Sequence, residues 1–485
     1  MNPIMRSKTK IVATIGPACD SKVKLKEMLK AGVDCFRFNM KHGQLSWHEQ
    51  KMTLVRQAAK EVNRSVAILM DLQGPEIRTG ILKEKFITLK KGEMVWFTDS
   101  QEWADKTQKK AITIDRIDAL AAVRPGQKVM VDDGFLSFRV LDTNKKSGVR
   151  LVRTRVLEGG ELGNRKGVSL PGLILDIPVL MARDFDSLSL KNRQDIDWVA
   201  LSFVSSAKDI NMLRTELKKR KIGAGIIAKI ERTQALDNFE EILQSTDGVM
   251  VARGDLGVEV PLYEVPFWQK QIIKRCREAG KPVITATEML QSMIYSPRPT
   301  RAEVSDVANA IYDGTDAVML SAESAMGKYP VKAVEVLNQE AHFSETKVDY
   351  PPIKIEKKAM GQTAAIVMAA KSLIECGYQG VCDLSAVVVL TETGTTARYL
   401  SRLRPKLPIL AVTTNAKVRD QMKLYWGVKP YLFHFKKQSE MSIKEIIKFL
   451  KDQKVIKSGQ NVVMIYGELW GKPGLTSVVR IQAVV

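Results

Sequence analysis

The order of apolar runs predicts an α/β fold built on a TIM-type (β/α)8 barrel, interrupted by an inserted all-β lid domain and followed by a second α/β domain. Eight short runs, KIVATI, CFRFN, AILMD, DWVALS, GIIAKI, GVMVA, PVITAT and AVMLS, alternate with helical patterns, and eight is the number that closes such a barrel. The rhythm breaks at Gly74 and Pro75, and residues 76–171 read instead as short alternating strands separated by turn residues. A two-proline linker, VDYPPIKIEKK, then precedes a fresh set of strands and helices. The expected domains are 1–75 with 172–347, 76–171, and 348–485.

Each element has a local reason. After KTKIVATIG and Pro17, the helix KVKLKEMLKA is closed by Gly32. The second strand ends at Arg37, Asn39, Lys41, His42 and Gly43, and a helix follows over roughly 46–62. The third strand ends at Asp71. Runs such as EMVWFT, LSFRVLDT and GVRLVRTRVL make up the β module, which closes at VSLPG, where Pro171 and Gly172 suit a hinge. A module inserted between a barrel strand and its helix commonly acts as a lid. Helices are then expected near 184–194, 207–220, 233–245, 262–279, 300–313 and 330–346. Thr233 is a plausible N-cap for the third of these; Thr300 and Glu303 have capping-box spacing, and Gly314 ends that helix.

Composition narrows the function classes. No apolar run is long enough to span a bilayer, and MNPIMRSKTKIVATIGP lacks a signal-like apolar core, so a soluble, cytoplasmic protein is expected. Five scattered cysteines with no Cys-x-x-Cys pair fit a reducing compartment. The net charge of +21 invites polyanionic ligands, but the positive residues are spread along helix faces and no basic run is interleaved with aromatics. Specific nucleic-acid binding is therefore not expected.

The chemistry concentrates in residues 225–259. Alternation along GIIAKIE puts Ile227, Lys229 and Glu231 on one side of a strand, and the next strand delivers Asp255 just past its last apolar residue. Strand, helix and strand in sequence make a right-handed parallel unit, so Lys229, Glu231 and Asp255 share one carboxyl edge. An ordinary Lys-x-Glu is a solvated ion pair, but a barrel strand is covered on both faces, where charges persist only if paired or metal-bound. Two carboxylates there offer hard oxygen ligands to Mg²⁺ or Mn²⁺, and a neighbouring lysine suits a phosphoryl group in transfer. The other strand ends converge on the same rim with Arg37, Asn39, Asp71, Thr287, Ser321 and Glu323. In the last domain, TETGTT before a helix is a phosphate-binding candidate through Thr391, Thr393, Gly394, Thr395 and Thr396.

These segments resemble the pyruvate kinase family over nearly the whole length. TKIVATIGP, DLQGPEIRTG, VDDG, KGVSLPG, AKIE, DGVMVARGDLGVE, PRPTRAEVSDVANAIYDGTDAVMLSAES and GKYP stand in family order. The resemblance implies a barrel with a β lid and a C-terminal α/β regulatory domain, assembled as a homotetramer, transferring phosphoryl from phosphoenolpyruvate to ADP. It implies that Glu231 and Asp255 hold the divalent cation while Lys229 and Arg37 hold the transferring group. Backbone at Gly254 and Asp255, with Thr287, would cradle the substrate carboxylate; Thr287 resembles the residue tied to enolate protonation, with Ser321 in its water network. His42, Arg78 and Lys166 match nucleotide contacts. TETGTT and WGKPGLTS resemble a sugar-phosphate effector pocket, implying a phosphorylated activator, although Glu392 would repel a phosphate unless it points away.

Departures cluster at the monovalent-cation site. The family usually reads Asn-Phe-Ser-His-Gly after the second strand, and here the segment is Asn39, Met40, Lys41, His42, Gly43. Leu72 stands where K⁺-dependent members place Thr, leaving Asn39 and Asp71 of the ligand set, whereas Glu76 is what those members carry. The Lys41 ammonium, paired with Asp71 or Glu76, is expected to replace the cation, so K⁺ is expected to be dispensable. Met326 replaces a common Lys and Glu288 a common Gln. These changes also define the alternative, a weakly catalytic or non-catalytic regulatory paralogue that binds phosphorylated metabolites.

Overall fold

The computed structural model describes residues 6–173, 177–355, 361–378, 383–434, 440–468 and 476–485. Eight parallel strands, Lys10–Thr14, Cys35–Asn39, Ala67–Asp71, Trp198–Leu201, Gly225–Ile230, Gly248–Ala252, Val283–Ala286 and Ala317–Leu320, close into a barrel in which each pairs with its neighbours in sequence. Their near-continuous apolar character follows from burial on both faces. Val12, Leu69, Ile227, Met250, Ile284 and Met319 fill the lumen from alternate positions. Register sets the rim, because Asn39 stands opposite Asp71, and Lys229 opposite Met250 one strand on.

Helix caps follow the sequence where the signal was local. Ser21 accepts from Lys24 N, Thr300 and Glu303 form the capping box, and Gly314 closes that helix at φ 91°. Two expectations are corrected. The segment expected as one helix over 233–245 breaks into Thr233–Asp237 and Phe239–Ser245, with Arg232 rather than Thr233 at the N-cap. Asn238 makes the break, its side-chain amide donating to Ser205 O at 2.9 Å. The helix expected near 184–194 is shorter, Ala182–Ser187, and a 3₁₀ turn, Arg193–Asp195, follows it.

Between the third barrel strand and this helix lies a seven-stranded sheet with a two-stranded ribbon, Phe86–Leu89 with Gly160–Gly163, beside it. It is not purely β, since helices Gln101–Lys106 and Ile117–Ala122 lie within it; Ser100 caps the first by accepting from Trp103 N. Phe97 and Phe138 meet edge to face at 5.0 Å in its core. Its longest hairpin, Leu136–Lys146 with Val149–Glu158, turns through Ser147 and Gly148, both at positive φ, as a two-residue turn with the twist of the strands requires.

The C-terminal domain has a five-stranded sheet in the order Val428–Leu432, Ile409–Thr413, Leu384–Leu390, Asn461–Tyr466, Val478–Ala483, with only the last strand antiparallel. It docks on the amino-terminal end of the barrel. Lys10 Nζ donates to Val428 O at 2.7 Å, Trp198 Nε1 to Gln421 O at 3.3 Å, and Arg404 pairs with Asp316 at 2.9 Å. The opposite, carboxyl-terminal end of the barrel is left to face the inserted module.

Candidate active site

At that end the strand-end charges form one network. Arg37 reaches Asp71 Oδ2 with Nε at 2.7 Å and Nη2 at 2.6 Å, and donates through Nη1 to Thr14 Oγ1 at 3.0 Å. Lys229 Nζ lies 2.6 Å from Glu231 Oε1 and 3.3 Å from Asp71 Oδ1, and donates to Ser202 Oγ at 2.8 Å. Glu231 Oε2 accepts from Phe203 N at 2.7 Å. Asp71 and Glu231 are each 1% exposed, so both depend on these partners to stay ionised. Burial opposes the Lys229 ammonium, but Asp71, Glu231 and Asp255 outweigh it and hold its pKa above that of an ordinary lysine. Likewise burial works against the Asp71 carboxylate, and Lys229 and Arg37 overcome it, holding its pKa low.

Asp255 is different. The sixth strand runs straight into the short helix Arg253–Glu259, which brings Asp255 beside Glu231 with no hydrogen-bond or ion-pair partner among the described residues. Although the residue is open to the cleft, the protein around its carboxyl and the charge on Glu231 push its pKa up to about 7. Two carboxylates that repel each other in this way fit a hard divalent cation. Among the described residues no three His, Cys, Asp or Glu side chains group as a metal site. A cation at Glu231 and Asp255 would therefore take its remaining ligands from substrate and water.

Thr287 and Glu288 both stand at positive φ, 67° and 56°, which for a β-branched residue is a strained turn. Thr287 Oγ1 accepts from Gly254 N at 2.8 Å, joining the sixth and seventh strand ends. Arg253 holds the turn by donating to Thr287 O at 2.6 Å and Ala286 O at 3.2 Å. Ser321 follows the eighth strand, its N–H donating to Glu323 at 2.8 Å; the other oxygen of Glu323 accepts from Leu290 N at 3.1 Å.

The remaining rim residues face the inserted module. Lys41 Nζ lies 2.6 Å from Glu76 Oε1, and Arg78 takes the other oxygen at 2.9 Å. Of the two partners expected for Lys41 the chain uses Glu76, because Asp71 is saturated by Arg37 and Lys229. Asn39 Oδ1 accepts from Lys41 N at 3.2 Å, and His42 N donates to Asn39 O at 3.3 Å. Lys166 follows the two-stranded ribbon, pairs with Asp132 at 2.9 Å and precedes Gly167, which stands opposite Arg78 in the sheet. Lys41, Glu76, Asp133, Glu231, Arg232 and Asp255 border a cleft of about 80 Å³. Across it Ser169 of the module donates to Glu259 of the barrel at 2.6 Å. A far larger cavity, about 720 Å³, lies at the other end of the barrel and contains none of this chemistry.

Thr391, Thr393, Gly394, Thr395 and Thr396 lie far from this rim, at the start of helix Thr395–Ser401. Gly394 N donates to Thr391 Oγ1 at 3.0 Å, the Thr393 and Thr395 hydroxyls meet at 2.9 Å, and Thr396 meets Thr476 at 2.8 Å. Glu392 accepts from Thr414 at 3.1 Å. Most of the closing loop WGKPGLTS lies outside the described residues.

Sequence reasoning named polar groups at six strand ends and passed over Thr14 and Ser202, the ends of the first and fourth strands. Both touch the cluster. The signal was available, since eight strands should deliver eight ends to one rim. Arg183 and Asp184 were also missed. Arg183 donates to Met40 O and Gly43 O, each at 2.6 Å, and Asp184 accepts from Met181 N and Gln73 N, each at 2.9 Å, and from Gly74 N at 3.2 Å. They brace the two loops that carry Lys41 and Glu76, and nothing in their local sequence marks that role.

Comparison with known proteins gives a consistent result. The sequence profile of the pyruvate kinase barrel domain matches residues 6–334, and that of the pyruvate kinase alpha/beta domain matches residues 364–482. The chain is 41% identical over 486 residues to pyruvate kinase 2 of Synechocystis, spanning 100% of this chain and 80% of the relative. It is 40% identical over 478 residues to a pyruvate kinase of Agrobacterium vitis, spanning 98% and 96%, and 39% identical over 485 residues to one from Geobacillus stearothermophilus, spanning 99% and 81%.

Proposed function

The chain belongs to the pyruvate kinase family of phosphotransferases, and from that premise we propose that it moves the phosphoryl group of phosphoenolpyruvate to ADP, giving pyruvate and ATP, at the barrel rim. The observation that carries this reading is the pairing of two fixed cations, Arg37 and Lys229, with an uncompensated carboxylate, Asp255, beside Glu231. A trianionic substrate needs positive charge around its phosphoryl group and a cation to bridge it. Glu231 and Asp255 would hold Mg²⁺ or Mn²⁺, which supplies charge neutralisation and alignment.

Arg37 and Lys229 hold the phosphoryl group as its bond to the enol oxygen breaks and one to the terminal oxygen of ADP forms. The Gly254 and Asp255 backbone with Thr287 receives the substrate carboxylate. The enolate left behind takes a proton at carbon, delivered on the Thr287 side through water ordered by Ser321. His42, Arg78 and Lys166 position the nucleotide between barrel and module, which serves as the lid of residues 76–171. Domains 1–75 with 172–347 and 348–485 are then the catalytic barrel and the regulatory unit.

K⁺ is dispensable in this reading, because the Lys41 ammonium on Glu76 supplies the monovalent charge. The hydroxyl-rich loop Thr391–Thr396 takes a phosphorylated activator, a role supported by the engagement of Glu392 with Thr414. Leu262, Tyr263 and Phe267, exposed within two helical turns, support assembly of copies into a homotetramer. Among the described residues no helix is long and apolar enough to cross a membrane; a cytoplasmic location accords with this and with the scattered cysteines.

The test is pyruvate formation from phosphoenolpyruvate and ADP with Mg²⁺, in K⁺-free and K⁺-containing buffers of equal ionic strength. Equal turnover supports the kinase and the substitution of Lys41 for the monovalent cation together. Turnover only with K⁺ keeps the kinase and removes the role of Lys41, and no turnover in either, even with sugar phosphates and AMP added, removes the kinase.

A further inference from the structure

Where the C-terminal domain meets the barrel, five cations converge on one crevice. Arg277 and Lys281 come from the end of barrel helix Val265–Ala279 and the turn after it; Arg398, Arg402 and Arg404 come from helix Thr395–Ser401 and the residues that follow. Among the described residues Asp316 is the one carboxylate in its lining. Arg277, Arg402 and Arg404 are only 5%, 3% and 6% exposed.

Their visible partners do not account for them. Arg404 donates to Asp316 at 2.9 Å, Ser401 O at 3.0 Å and Gly314 O at 2.6 Å, and Lys281 donates to Gln244 O at 3.0 Å and Thr246 O at 2.5 Å. Among the described residues, Arg402 has only Glu278 O at 3.3 Å as a hydrogen-bond acceptor, and Arg277 only Pro351 O at 3.4 Å. Aromatic faces help, with Tyr399 4.4 Å from Arg402, Trp426 4.8 Å from Arg404 and Tyr350 5.4 Å from Arg277. Carbonyls at two helix ends, Glu278 and Gly314, help further. Yet Nε and Nη2 of Arg402, Nε of Arg404 and Nε of Arg277 stay buried with no hydrogen-bond partner among the described residues. Burial and mutual repulsion lower the pKa of Arg277 to about 10, with Arg404 the chief repelling charge, and that of Lys281 to about 8, where Arg398 repels.

The stems run close over two helix-ending glycines, since a Cβ on Gly314 would stand 2.8 Å from Arg277 Cδ and one on Gly280 3.1 Å from Arg402 Cδ. Between them is a void of about 10 Å³, which a polyatomic anion would not enter and which a monatomic anion would enter only with a slight outward shift of the arginine heads. Water would satisfy an N–H group but leave the charge of this buried cluster uncompensated.

We propose that this crevice binds a single chloride-sized monovalent anion, seated on Arg402 between Arg277 and Arg404, which fastens the C-terminal domain to the barrel. The anion secures the last turn of the same helix whose first turn carries Thr395 and Thr396. The site is independent of the phosphoryl-transfer reading.

The test uses the full chain. Crystals grown or soaked in bromide are expected to show an anomalous peak in the crevice. Thermal unfolding at constant ionic strength is expected to show a saturable rise in Tm of about 2–4 °C when gluconate is exchanged for chloride, and Arg402→Met is expected to lose that rise. Crevice density that carries no anomalous signal, as for water, overturns the proposal even if Tm responds, because chloride then acts elsewhere. A peak without a Tm response keeps the site and overturns its fastening role. Should Arg402→Met fail to fold, the bromide map of the unsubstituted chain still decides.

Discussion

Lys229 stands between Asp71 and Glu231, and no neighbour can take its place, because Arg37 already spends two nitrogens on Asp71. Lys229→Met is therefore expected to lower kcat for pyruvate formation by roughly 10²–10³ while the chain still folds, the cost of removing one charge aimed at the transferring group. A loss under about tenfold would place that charge elsewhere. Lys41 calls for a gain rather than a loss. Lys41→Ser with Leu72→Thr places two hydroxyl oxygens beside Asn39 and Asp71, and the double variant is expected to be activated by K⁺ where the parent is expected to be indifferent. A rate that ignores K⁺ in both proteins would mean that Lys41 does not stand in for the cation. Lys229, Glu231 and Asp255 were legible in the sequence because period-two alternation and the strand–helix–strand order place them with no knowledge of packing. Which carboxylate Lys41 would choose was not legible, since it depends on Arg37 and Lys229 saturating Asp71 from strands distant in sequence.

Elements show the same division between local and non-local signals. The capping box at Thr300 and the closing Gly314 could be read directly, because each is satisfied within one turn of chain. The short helix Ala182–Ser187 could not, since Asp184 spends its carboxylate on N–H groups of the loop after the third barrel strand. Asp184 is fully buried, and burial raises its pKa against the pull of those donors. Asp184→Asn puts an amide where both oxygens accept, leaving at least one buried N–H facing another donor. The expected cost is about 1–3 kcal/mol of unfolding free energy, read by urea denaturation. Turnover should fall with it, since Gly74, Glu76 and Lys41 lean on this helix. Unchanged stability would show that the loop holds its shape without Asp184.

At the scale of the molecule, the net charge of +21 has a structural address that composition alone could not supply. Part of the excess is enclosed between barrel and C-terminal domain, where Arg6, Lys10, Arg64, Lys423 and Lys429 border the 720 Å³ cavity with Asp34 and Asp420 as its carboxylates. Lys423 has no hydrogen-bond or ion-pair partner among the described residues, and burial, opposed by Asp34 and Asp420 and aided by repulsion from Lys10 and Arg6, lowers its pKa to about 8. The sign of the consequence follows from linkage. In the unfolded chain this lysine keeps its proton until roughly pH 10.4, so between about 8 and that value the unfolded state binds more protons and stability must rise with pH. Buried thiols and tyrosines act oppositely at the upper end, because burial raises their pKa values in the folded state. The informative quantity is therefore the difference between the parent and Lys423→Met, in which those terms cancel. The parent is expected to lag Lys423→Met in urea midpoint at pH 7.5 and to close much of that gap by pH 9.5. A gap independent of pH would show that the Lys423 ammonium is solvated in place, and that the charge between the domains costs the fold nothing.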